Sequence, residues 1–196
     1  MNKTRLEAFS DAVIAIIMTI MVLELKIPHG TDLESLKPLF PVFLAYLLSF
    51  INLGIYWNNH HHMLQATDKV NGKVLWANMN LLFWLSLIPF ATGWMGENHF
   101  APLPTAIYGA ILLFSAVAYT VLQGMLVKHE GANELLASAV GRNTKSKISI
   151  AFYVAAIPLA FVHQAIAGAL FVAVAFIWLV PDRRIEEEIE KVEEDE

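Results

Sequence analysis

The sequence predicts an all-α, polytopic membrane protein with six transmembrane helices per subunit, and three observations carry that prediction. The chain is 57% hydrophobic and 16% charged, with a mean hydropathy of +0.53, which is too apolar for a soluble domain of 196 residues. Its apolar residues fall into segments near the roughly 20 residues that cross a hydrocarbon core of about 30 Å. Its basic residues gather at alternate segment ends, as cytoplasmic loops require.

The first segment, Thr4 to Lys26, is followed by no small-residue cleavage pattern and so is expected to be retained. Pro28-His29-Gly30 is a turn, and the second segment runs from Lys37 to His61. The third, Val70 to Trp94, opens on the turn residues Asn71-Gly72, and the fourth, Leu103 to Lys128, on Pro102-Leu103-Pro104. Gly131 to Asn143 mixes Leu135, Leu136 and Val140 with polar residues, a pattern expected of a short helix lying on the membrane surface. The apolar run from Ile148 to Val180 is too long for one crossing and short for two. Lys145 and Lys147 precede it and Arg183 and Arg184 follow it, so a hairpin of Lys145 to Val162 and Gln164 to Pro181, turning at His163-Gln164, keeps both basic clusters on one side.

These spans divide the chain into a six-helix transmembrane unit, residues 1–181, and an acidic tail, residues 182–196, expected to be a soluble cap. That tail supplies most of the acid behind the net charge of −5. The inner side then holds Lys3, Arg5, Lys69, Lys73, Lys128, Arg142, Lys145, Lys147, Arg183, Arg184 and Lys191, against Lys26 and Lys37 outside. Both termini are accordingly expected in the cytoplasm, with the protein in the plasma membrane. Cysteine is absent, which excludes disulfides and thiolate metal sites.

The first segment carries the unusual chemistry. It places Arg5, Glu7, Ser10 and Asp11 at one end and Glu24 near the other. Ionisable groups are costly against lipid, so this helix belongs inside an assembly. At about 100° per residue, Ala12, Thr19, Ile20 and Leu23 all fall within about 60° of Ile16, forming one narrow stripe. Ser10 and Asp11 project about 120° and 220° away from it, toward neighbouring helices.

Arg5, three intervening residues and Phe9-Ser10-Asp11 reproduce an RxxxFSD signature, and with it the chain resembles the transmembrane-protein-175 family of potassium channels. The resemblance extends over essentially the whole chain, including Trp57-Asn58-Asn59-His60-His61 and the Asn-rich start of the third segment. It implies a single six-helix unit, as in bacterial members, and a homotetramer around a potassium-selective pore lined by the first helix. It further implies a hydrophobic constriction at Ile16, with Thr19, Ile20 and Leu23 completing the lining, the same residues that the helical stripe selects. No TVGYG run occurs in the chain, so a carbonyl-lined filter is unavailable. The expected partners are other copies of the chain, the bilayer and monovalent cations; no cofactor and no nucleic acid are expected, with potassium as the permeating ion.

Blander readings stand beside these. A stripe of Ile and Leu on a membrane helix is more often packing than a gate. Asp11 with Arg5 and Ser10 reads as a structural cluster rather than an ion ligand; breaking a buried charge pair there would cost about 3–5 kcal/mol. His60, His61 and His62 point about 100° apart on a helix and cannot converge on one metal. With Asn58 and Asn78, His60 and His61 read as a polar network, and Asn52 and Asn80 as further interhelical bonds. Trp57, Trp76, Trp84, Trp94 and Trp178 resemble an aromatic belt. Glu24 and Lys26 fall at the outer mouth. A proton-coupled transporter would need Asp11, Glu24 and His60 as a relay, without a midspan acid or an internal repeat to support it. No HExxH, nucleophile elbow or paired-acid constellation supports an enzyme.

Overall fold

The computed structural model describes residues 3–65, 67, 70–130 and 144–179. The expected surface helix from Gly131 to Asn143, the basic residues Lys69, Arg142, Arg183, Arg184 and Lys191, and the acidic tail from residue 182 lie outside them. Helix α1 spans Lys3–Met21 and tightens into a 3₁₀ turn, Val22–Glu24. A 3₁₀ segment, Leu33–Leu39, leads into α2, Phe40–Gln65. Then follow α3 (Gly72–Ser86), α4 (Ile88–Glu97), α5 (Pro102–Glu130), α6 (Thr144–Leu159) and α7 (Gln164–Leu179). Lys3–Glu24, Leu33–Gln65, Gly72–Glu97 and Pro102–Lys128 are long and apolar enough to cross a membrane. With α6 and α7 they form the six transmembrane helices of the subunit.

The expected third helix is broken in two. Pro89, near the start of α4, lacks an N–H, and its ring would clash with the carbonyl four residues back. The ladder therefore lapses at Leu87, whose N–H reaches the Trp84 carbonyl at 3.2 Å. The turn expected at Pro102-Leu103-Pro104 lies earlier, at Asn98–Ala101, where His99 and Phe100 take positive φ of 50° and 59°. Both prolines sit in the first turn of α5, where missing donors cost nothing. Asn71 caps α3, its side chain accepting from the N–H groups of Lys73 at 2.9 Å and Val74 at 3.0 Å. The last two helices form the expected hairpin, turning at residues 160–163. Each has 16 residues, about 24 Å at 1.5 Å per residue, which falls short of a full hydrocarbon thickness.

The core is built on α5, which packs against α3, α4, α6 and α7, while α2 packs along α4. Ser49 of α2 ties three helices together: its Oγ lies 2.7 Å from Thr92 Oγ1 on α4 and 3.0 Å from the Tyr108 hydroxyl on α5. Helix α1 stands to one side, its main contacts confined to α2, α3 and α4. On α2, Phe40, Phe43, Leu44, Leu47 and Phe50 form an exposed apolar stripe.

Close approach of α2 to α4 is made possible by Gly96, where an added Cβ would stand 2.7 Å from Val42 Cα. Gly96→Ala is expected to force the helices apart and cost about 1–3 kcal/mol. Thermal melting in detergent checks this against Gly54→Ala, where a Cβ meets nothing within 4 Å and the melting temperature should hold or rise.

Candidate functional site

Helix α1 has two faces. Leu6, Ser10, Ile14, Ile17 and Met21 are buried against the subunit. About 140° around the helix, Arg5, Phe9, Ala12, Ile16, Thr19, Ile20 and Leu23 are exposed, Ile16 at 56% and Leu23 at 76%. Ile16 and Ile20 also line an open groove of about 720 Å³, with Pro89, Phe90 and Trp94 on its far wall. The Thr19 hydroxyl donates to the Ile16 carbonyl at 2.9 Å, so its proton is satisfied while its oxygen stays available as an acceptor.

The RxxxFSD residues divide between these faces. Arg5 and Phe9 point outward. Ser10 is fully buried; its Oγ donates to the Leu6 carbonyl at 2.8 Å and accepts from Asn78 Nδ2 on α3 at 2.9 Å. Asn78 Oδ1 lies 2.7 Å from His60 Nε2 on α2, so one chain of polar contacts joins α1, α3 and α2. Asp11 Oδ1 accepts from the Trp57 indole at 3.0 Å. The expected cluster of Asp11 with Arg5 and Ser10 is therefore corrected: among the described residues Arg5 has no partner, because positions 5, 10 and 11 leave a helix in different directions. Asp11 meets a neutral indole, not a buried opposite charge.

Glu7 completes the cluster at the N-terminal end of α1. Its Oε1 lies 3.0 Å from His61 Nδ1, a close polar approach without the alignment of a hydrogen bond. As the spacing requires, His60 turns to α3 and His61 to α1. Asn58 and Asn80 are exposed and lie outside the network. Asn52 donates to its own helix, at the Leu48 carbonyl, 3.0 Å away. Trp57 donates to Asp11 Oδ1 while its ring stays exposed, Trp178 donates to Ser149 Oγ at 2.9 Å, and Trp84 stacks on Phe114. Glu7, one of the ionisable residues at the start of the first segment, thus gains a partner on α2. Its signal is a pair of ladders, Glu7 with Asp11 on α1 and Trp57 with His61 on α2, each one turn apart.

Beyond the opposite end of α1, the Glu24 carboxylate lies over Gly93 of α4, where a Cβ would stand 2.6 Å from Glu24 Oε2. Lys26 pairs with Glu97 at 2.5 Å, and that hydrogen bond and charge raise the lysine pKa above its ordinary value. The pair is exposed, so its contribution to stability is small. Asp11, Glu24 and His60 are not brought together: Glu24 stands about 20 Å from Asp11 along the helix axis.

The family model described as endosomal/lysosomal potassium channel TMEM175 matches residues 5–89, from α1 into α4. A potassium channel of Chryseobacterium sp. (strain P1-3) is 54% identical over 97% of this chain and 100% of its own. A potassium channel of Chamaesiphon minutus is 30% identical, over 89% of this chain and 93% of its own. The endosomal/lysosomal proton channel TMEM175 of Gallus gallus is 32% identical over 46% of this chain, which spans only 21% of that protein. Among solved structures, the crystal structure of a lysosomal potassium-selective channel TMEM175 homolog from Chamaesiphon minutus superposes with a TM-score of 0.78 at 26% identity, covering 90% of this chain and 96% of that one.

The link between α1 and α2 is testable without reference to conduction. A hydrogen bond accepted by a carboxylate is worth about 1.5–3 kcal/mol, so Asp11→Ala and Trp57→Phe should each lower stability by that amount. The double variant should cost less than the two together, since both remove one bond; additive losses in thermal melts would refute the coupling.

Proposed function

The chain belongs to the TMEM175 family of potassium channels, and on that premise we propose that it is a potassium-selective cation channel, a homotetramer whose four α1 helices surround the pore. One observation carries this: α1 binds its own subunit through one face and leaves the stripe Ala12, Ile16, Thr19, Ile20 and Leu23 outward on the other. The stripe and its flank support self-association, because Ala12 in the stripe and Ala8 and Ala15 beside it are exposed and small residues let helix backbones approach closely in lipid. Arg5, in line with the stripe at the inner end, suits a water-facing position far better than hydrocarbon.

In this arrangement Ile16 forms the narrowest ring, with Ile20 and Leu23 above it. A ring of aliphatic side chains gates by excluding water, and it conducts only when it widens enough for a partly hydrated cation. Potassium sheds water more readily than sodium, and the Thr19 oxygens, one turn from Ile16, offer partial replacement. Conduction needs no cofactor, and potassium is cargo. The protein is multi-pass; we place it in the plasma membrane with both termini cytoplasmic, the tail from residue 182 a soluble cap, and no nucleic acid among its partners.

The animal relatives are named proton channels, which favours proton conduction through the same pore as a second reading. Planar-bilayer recording of purified protein separates the two. Under opposed potassium and sodium gradients the wild type should reverse near the potassium potential, insensitive to a superimposed pH gradient. Ile16→Asn should conduct more and reverse closer to zero. An unchanged preference for potassium in Ile16→Asn would remove Ile16 from the constriction, and a reversal potential that follows pH would favour protons.

A further inference from the structure

At the inner end of the molecule, donor atoms from two helices converge. Glu7 and Asp11 stand one turn apart on α1, His61 faces them from α2, and one ligand atom from each lies within 4.8 Å of the other two. His61 Nδ1 is 3.0 Å from Glu7 Oε1, yet this nitrogen is sealed from solvent without an aligned hydrogen bond. Donors bonded to one tetrahedral ion at about 2.0–2.2 Å stand about 3.4 Å apart, so small side-chain rotations bring the three into register. The histidine run cannot chelate by itself, because consecutive side chains diverge. One member of it, however, meets two carboxylates offered by another helix.

A single residue orients two of the three ligands. The Trp57 indole N–H holds Asp11 Oδ1 at 3.0 Å, with no hydrogen bond to Oδ2 among the described residues, and the Trp57 ring stacks on the His61 ring with centroids 6.0 Å apart and planes 18° from parallel. Fixing a carboxylate by a hydrogen bond and an imidazole by its plane is how outer residues tune metal ligands. The triad is also reachable from water, since the side chains of Glu7 and His61 are 20% and 33% exposed.

We propose that Glu7, Asp11 and His61 form a transition-metal site of the Zn²⁺ type, with one open position for water. Imidazole with carboxylate suits Zn²⁺ better than the hard cations Mg²⁺ and Ca²⁺, which prefer oxygen donors alone. A bound ion offsets the repulsion between the two α1 carboxylates and fastens α1 to α2, stabilising this arrangement by mass action. The site stands whether or not α1 lines a pore.

Its test uses the full, tag-free chain in detergent, with Co²⁺ as the spectroscopic probe and Zn²⁺ as competitor. The wild type should give a tetrahedral Co²⁺ ligand-field band that Zn²⁺ displaces, and Zn²⁺ should raise its melting temperature. His61→Ala and Glu7→Gln should abolish both effects, and His61→Gln, which keeps the bulk of the side chain, should do the same. Trp57→Phe should weaken Co²⁺ binding about tenfold, whereas His62→Ala should bind as the wild type does. Absence of the band in the wild type overturns the proposal, as does a band or a thermal shift that persists in His61→Ala and Glu7→Gln.

Discussion

Hydrocarbon offers no partners to hydroxyl and carboxylate groups, so the first helix must turn Ser10 and Asp11 toward its own subunit. That constraint fixes the rotation of α1. Once Ser10 meets Asn78 and Asp11 meets Trp57, the opposite face has to carry Ile16, Thr19, Ile20 and Leu23 outward. The polar contacts near the N-terminal end of α1 and the apolar stripe are therefore two consequences of one placement. A change to either contact would rotate the stripe as well as loosen the helix.

The rest of the bundle gives that placement something to lean on. Helix α1 touches mainly α2, α3 and α4, while α5, α6 and α7 form the far side. The Ser49, Thr92 and Tyr108 oxygens and the close approach of Gly96 to Val42 join α2 to α4 and α5 in the wall that receives α1. Beyond the break before Pro89, α4 supplies Pro89 and Phe90 to the groove that Ile16 and Ile20 also line. An outward apolar helix face beside an open groove suits association with further copies of the chain.

Much of this was legible in the sequence. The six-helix organisation followed from segment length and the hairpin from Lys145, Lys147, Arg183 and Arg184, because hydrophobic thickness and charge asymmetry act on composition alone. The stripe followed from helical angle. The partners of Asp11 did not, since periodicity says which way a side chain leaves its helix and not which helix it meets. Trp57 fitted an aromatic belt by position and turned out to donate to Asp11; Glu7 carried no motif of its own and found His61 across the interface. Asn58 looked like a network member near His60, yet residues two positions apart on a helix point about 200° apart, and of the two His60 is the one that meets α3. The break at Leu87 was hidden because a proline near the start of a helix and one in the middle of a span look alike until the register is known.

The central claim is that copies of α1 meet around an axis and present Ile16 to it. Electron cryomicroscopy of the full chain in lipid nanodiscs tests this most directly. Fourfold-related subunits with Ile16 side chains facing one another across the narrowest point of a central passage are the expected result. Density placing Ile16 against acyl chains, with α1 on the outside of the particle, would contradict the account.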